Sequence, residues 1–158
     1  MTPEETLQLQ QELTILSIPQ PNADDWTLAQ NEYRMYQILN QLGLRTLDDF
    51  KSVARRRLAA RRYLAETSGT QWNGHPVATD RQSQAMITGA LLLSQMPNFP
   101  GVNWKMADGT FVQLSAADVQ SMAAAVAAHV QGCFANEAAL AAQVMQDPET
   151  DIDAGWPA

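Results

Sequence analysis

Little in this 158-residue chain can hold a metal, a phosphate or a nucleophile. Its single cysteine, Cys133, excludes an internal disulfide and a cysteine-based zinc cluster. Among helical alanines, Cys133 reads as a small buried side chain. The two histidines, His75 beside a turn and His129 mid-helix, give little support to a metal site, and His129 reads as packed or hydrogen-bonded. Gly69, Gly74, Gly101 and Gly109 are isolated turn glycines, so there is no phosphate loop. Ser83, His75 and Asp80 lack a nucleophile elbow. Asp147, Glu149, Asp151 and Asp153 alternate, but Ile152 stands where a calcium loop needs glycine and no closing glutamate follows. The reading is a non-enzyme with no cofactor.

Other scarcities bound the setting. No apolar run approaches the ~20 residues that cross a bilayer. Ten basic against seventeen acidic residues give a net charge of −7, which disfavours nucleic acid as a partner. The start, Met1-Thr2-Pro3-Glu4-Glu5, lacks the basic and apolar regions of a signal peptide, so a cytoplasmic origin is expected, with no membrane partner.

What is present is mostly helix. Thr2 caps a segment 3–16 with Leu7, Leu9, Leu13 and Leu16 as apolar positions, and Pro19 and Pro21 stop it. A second helix starts at Asp24-Asp25 and ends at Gly43. A third starts at Thr46 and ends near Ser68-Gly69, and the short link between them predicts a helical hairpin. Asn73-Gly74 and Asp108-Gly109 each mark a β-hairpin, with Pro76 on an edge. A helix from about Asp80 to Gln95 separates them. Ser115 and Asp118 open a last helix that either runs to Met145 or breaks at Asn136. Close to half of 116–142 is alanine, which predicts a slim core. The fold class is therefore α+β, mainly α: a helical hairpin followed by two short β-hairpins packed on two further helices. Three segments are expected: a docking helix and Pro-rich linker at 1–22, a helical domain with both hairpins at 23–146, and an acidic flexible tail at 147–158.

The run 51–62 holds six of the ten basic residues. On a helical wheel Leu47, Phe50, Val53, Ala54, Leu58 and Leu64 share one arc. Lys51, Arg55, Arg56 and Arg62 fall outside it and read as solvated, whereas Arg57 and Arg61 fall inside. Such guanidiniums pair with acids of the same chain or face a partner's acidic surface. The aromatics Trp72, Phe99, Trp104 and Phe111 read as packing the hairpins onto helices, with an exposed platform as the alternative. Trp156, in the acidic tail, reads as a docking anchor.

One pattern goes beyond these elements. Arg61-Arg62 is followed by Trp72-Asn73-Gly74-His75-Pro76-Val77-Ala78-Thr79-Asp80-Arg81-Gln82-Ser83-Gln84. After a helix come Asn103-Trp104-Lys105-Met106-Ala107-Asp108-Gly109-Thr110-Phe111-Val112-Gln113-Leu114-Ser115, then His129-Val130 and Cys133-Phe134 with Glu137 and Leu140. Over 61–144 this resembles a phage and prophage domain family of unknown function associated with tail-fibre and tail-fibre-assembly proteins. The resemblance implies a structural component of the tail tip or fibre attachment region, or alternatively an assembly chaperone absent from the virion. A nucleic-acid-binding regulator acting through 51–62 is the remaining alternative. The implied partners are phage tail or tail-fibre proteins and further copies of the chain, with a trimer matching fibre symmetry. The implied location is the host cytoplasm and then the virion tail. The candidate interface residues are Arg57, Arg61, Leu9, Leu13, Leu16 and Trp156.

Overall fold

Every helix begins where a polar side chain can take up amides that the helix itself leaves unpaired. In the computed structural model, which describes Met1–Pro157, Thr2 and Glu5 form a capping box at the head of α1 (Pro3–Leu16). Asp24 caps α2 (Asp25–Gln41), and Thr46 with Asp49 caps α3 (Leu47–Glu66). Asp80 accepts the Gln82 and Ser83 amides at the start of α4 (Arg81–Ser94), and Ser115 with Asp118 opens α5 (Ala116–Gln146). Hydrogen bonds from Thr27, Thr46, Ser83 and Ser115 hold the carboxyls of Asp24, Asp49, Asp80 and Asp118 below their ordinary 3.8. The stability they add is present above the unfolded-state value and is lost as pH falls through the lower folded one.

Both hairpins form at the expected turns. β1 (Thr70–Trp72) and β2 (His75–Val77) are antiparallel around Asn73 and Gly74, whose positive φ values of 48° and 79° suit a two-residue turn. β3 (Val102–Lys105) and β4 (Phe111–Leu114) pair in the register Val102 with Leu114 and Lys105 with Phe111. Pro76 has no amide to donate, but its carbonyl accepts from the Ala107 amide at 3.0 Å and links one hairpin to the other. The helices and two small antiparallel hairpins confirm the mainly α, α+β class. α5 runs 31 residues without a break at Asn136.

The chain divides into two compact units, Met1–Arg61 with Glu137–Ala154, and Arg62–Asn136 with Gly155–Ala158. In the first, α2 and α3 are cross-linked in antiparallel order, Glu32 to Arg56 and Gln30 to Arg57, while the Tyr33 and Phe50 rings lie 5.2 Å apart. Ile38, Phe50, Val53, Ala54, Leu58, Leu140, Val144 and Ile152 are among its buried side chains. In the second, Trp72 and Val77 of one hairpin meet Met106 and Leu114 of the other, with Ile87 and Ala90 of α4 and Val119, Met122 and Val126 of α5. The Trp72 indole N–H donates to Ser121 Oγ at 3.0 Å.

Residues 147–157 follow a defined course, unlike the loose tail that their acidity suggests. Ile152 is 1% exposed, and the Pro148 carbonyl accepts a bond from the Tyr33 hydroxyl at 3.0 Å. Composition hides this because a single apolar anchor decides it. Ala158, the last residue of that expected tail, lies outside the described residues.

Glycine is required most strictly at Gly101. Its φ is +86°, and a Cβ there would sit 2.8 Å from the Leu114 carbonyl oxygen. Gly74 also has positive φ, but a Cβ there meets nothing within 4 Å. Gly101→Ala should therefore cost about 3 kcal/mol or more and Gly74→Ala about 1 kcal/mol in urea denaturation. Equal losses would show that the close approach to Leu114 does not constrain the fold.

Candidate functional site

The last residue of α3 is an acid, an arrangement that opposes the helix dipole. Glu66 is nevertheless fully buried, and its surroundings explain the placement. Arg62, one turn earlier, pairs with Glu66 Oε2, while Arg81 Nη1 reaches Oε1 at 2.7 Å. The Gln84 side-chain amide donates to Oε1 at 3.3 Å and to the Thr79 carbonyl at 2.7 Å. The Thr79 hydroxyl donates to the Glu66 carbonyl at 2.6 Å and accepts the Gly69 amide at 2.9 Å. Aromatic faces complete the cluster: the Arg62 guanidinium lies 4.6 Å from the Phe134 centroid, and that of Arg81 lies 5.5 Å from the Tyr63 centroid.

Beside it, His129 Nε2 donates to the Ala65 carbonyl at 3.1 Å, and Nδ1 is buried without a hydrogen bond. Cys133 Sγ is 3.9 Å from Nε2, one helical turn on, and is itself fully buried. Among the described residues no three His, Cys, Asp or Glu side chains gather around a common point for a metal ion. Nor, among them, is any helix long and apolar enough to cross a membrane.

The two arginines singled out from the sequence are engaged within the first unit. Arg57 donates to the Gln30 side-chain carbonyl and lies 4.4 Å from the Tyr33 centroid. Burial pushes the Tyr33 hydroxyl pKa above its ordinary 10.0, with the Arg57 charge opposing. Arg61 pairs with Asp153 at 2.9 Å and sits 5.9 Å from the Trp26 centroid. Both would have to give up these contacts to meet a partner. Arg62 departs most from expectation: its side chain is 15% exposed against Glu66, not solvated.

The remaining candidates are dispersed. Leu9, Leu13 and Leu16 are half-buried on α1, which contains no buried residue at all. α1 is held to α2 by Arg34, which grips both oxygens of Glu12 at 2.6 and 2.8 Å and keeps that carboxyl below its usual range. Trp156 is half-buried. Of the hairpin aromatics, Trp72 is buried and Phe99 and Trp104 pack against the core, whereas Phe111 is 69% exposed.

Residues 49–155 match a domain family of unknown function, DUF4376. The chain belongs to this family. The family region opens in the first turn of α3 and holds both hairpins, α4, α5 and the whole Glu66 cluster, while α1 and α2 lie before it. No curated protein and no solved structure matches the chain.

Sequence reasoning missed Glu66, although the signal was there as an acid at a helix C-terminus one turn after Arg62. It read Cys133 and His129 as buried one by one, without the one-turn spacing that brings them together. Glu66→Ala takes the carboxylate from a nearly buried arginine and should cost about 3–5 kcal/mol. Arg81→Ala, at a side chain 56% exposed, should cost about 1 kcal/mol or less. Denaturant midpoints followed by tryptophan fluorescence separate the two, and equal values would deny Glu66 its role. Arg57→Ala with Arg61→Ala should lower the stability of the isolated chain by about 1–2 kcal/mol through lost ring and ion-pair contacts. An unchanged midpoint with lost self-association would return both arginines to an interface.

Proposed function

We propose that the chain is a non-enzymatic phage tail-associated protein, a structural part of the tail tip or fibre attachment region, whose first helix is the docking arm. The tail assignment rests on the pattern of Arg61-Arg62, the two tryptophan-bearing hairpins and the closing helix. The observation that carries the docking reading is the packing of α1. Its Leu7 and Ile15 are 55% and 64% exposed, Ile18 just beyond it is 60% exposed, and no residue of the helix is buried. A 14-residue helix of this kind draws little stability from its own chain and is completed by packing against something else. It also precedes the family region, so it can differ between members without disturbing the Glu66 cluster.

The titratable groups of the domain agree with a binding role. Asp24, Asp49, Asp80 and Asp118 cap helices, and Glu12, Glu32, Glu66 and Asp153 hold arginines. These are the tasks of a scaffold. A fibre-assembly chaperone would use the same arm transiently, and the difference lies in the mature particle.

Mass spectrometry of purified particles from a lysogen carrying the gene should find the chain at a fixed ratio to the tail-fibre protein. Deleting residues 1–22 should remove it from particles while leaving a cooperative melting transition in the remaining chain. Absence of the intact protein from particles would overturn the structural reading in favour of the chaperone.

A further inference from the structure

α4 is apolar on two opposite sides, and only one of them is used. At about 100° per residue, Ile87, Ala90, Leu91 and Ser94 point one way, and they are buried or half-buried. Ala85, Met86, Gly89, Leu92 and Leu93 occupy an arc of about 120° on another side, shared with Gln82, and Met96 follows just past the helix end. All of these are exposed, Leu92 at 63%, Met96 at 60%, and Met86 and Leu93 at 56% each. An apolar helix side is ordinarily turned to a core or a partner. The exposed arc also borders a cleft of about 430 Å³ lined by Leu93, Met96, Pro97, Phe99 and Pro100 among others.

Charge points to what covers it. From Gln82 to Asn103 there is no Asp, Glu, Lys, Arg or His, and the gap closes only at Lys105. The second unit as a whole is almost neutral, with three of the ten Lys and Arg and four of the seventeen Asp and Glu, so the excess negative charge lies in the first unit. A polyanionic chain can meet its own copy with least repulsion across such a face. The face offers no basic residue to a lipid headgroup, which interfacial helices normally supply.

Shape points the same way. The arc is small at Ala85 and Gly89 and large at Met86, Leu92 and Leu93. Reversing one copy against another about Gly89 sets Ala85 opposite Leu93, Met86 opposite Leu92 and Gly89 opposite itself. This is the self-complementarity that a two-fold contact requires. A Cβ at Gly89 would meet nothing within 4 Å of its own chain, so its neighbours in the fold do not demand glycine there.

We propose that two copies of the chain pair antiparallel through this face of α4, crossing at Gly89. The pairing is two-fold, in contrast to the three-fold symmetry of a fibre, and it does not depend on the tail assignment. One helix face is smaller than the roughly 20–30 residues per side of a standard stable interface, so the dimer is weak and reversible.

Sedimentation of the full chain across micromolar to millimolar concentrations tests this. The apparent mass should rise from 17.4 kDa towards twice that value. Leu92→Glu with Leu93→Glu should abolish the rise, because it sets four carboxylates at the contact while changing only exposed positions. Gly89→Gln should weaken pairing while leaving the monomer's melting temperature unchanged or higher, since glutamine is the better helix former. A chain that stays monomeric throughout, a mass of three chains, or a dimer that survives the double glutamate substitution would each overturn the proposal.

Discussion

A single carboxylate with no exposure to solvent, that of Glu66, constrains the second unit more than any other group. Removing a carboxylate from water costs several kcal/mol unless cations and donors replace the lost hydration. Arg62, Arg81 and Gln84 provide that replacement, and each comes from a position that must then stay fixed. The backbone carbonyl of the same residue takes the Thr79 hydroxyl, which in turn takes the Gly69 amide. The end of α3, both ends of the first hairpin and the first turn of α4 are thereby tied at one point. Strands of three residues are marginal alone. Here β1 and β2 are clamped at their open end and filled beneath by Trp72 and Val77.

This arrangement gives the family region its character. The cluster that resembles a binding site in composition, with two arginines, an acid, a histidine and a cysteine, is spent on internal structure. Exposed apolar side chains lie elsewhere, among them those of α1 ahead of the family region and of the outer face of α4 within it. In the first unit the arginines lie against Tyr33 and Trp26 and bond to Gln30 and Asp153, so they serve packing there. The tail residue Asp153 is part of that arrangement, and Ile152 beside it is buried.

Local signals were legible wherever the chemistry is local. Thr2, Asp24, Asp80 and Ser115 announced helix starts, and Asn73-Gly74 and Asp108-Gly109 announced turns, because each acts within three or four residues. Periodicity also placed Phe50, Val53, Ala54 and Leu58 inside, whereas Leu47 and Leu64 on the same arc lie near the two ends of α3 and are exposed. What stayed hidden depends on distant partners. Arg62 lies outside the apolar arc of α3, yet Glu66 and Phe134 bury it. On α4, Met86 and Leu93 are as apolar as Ile87 and Ala90, yet only the side bearing Ile87 and Ala90 is buried. Ile152 was lost in an acidic segment, since average composition says nothing about one anchor.

The central claim is that Glu66 makes the first hairpin and the start of α4 part of one cooperative structure with the hydrophobic core. Native-state hydrogen exchange of the unmodified protein measures this directly. The Gly69 amide, which is bonded to Thr79, and the amides pairing β1 with β2 should exchange with the same opening free energy as the core amides of Met122 and Val126. Exchange of Gly69 and the hairpin by a separate, much lower-energy opening would contradict the account.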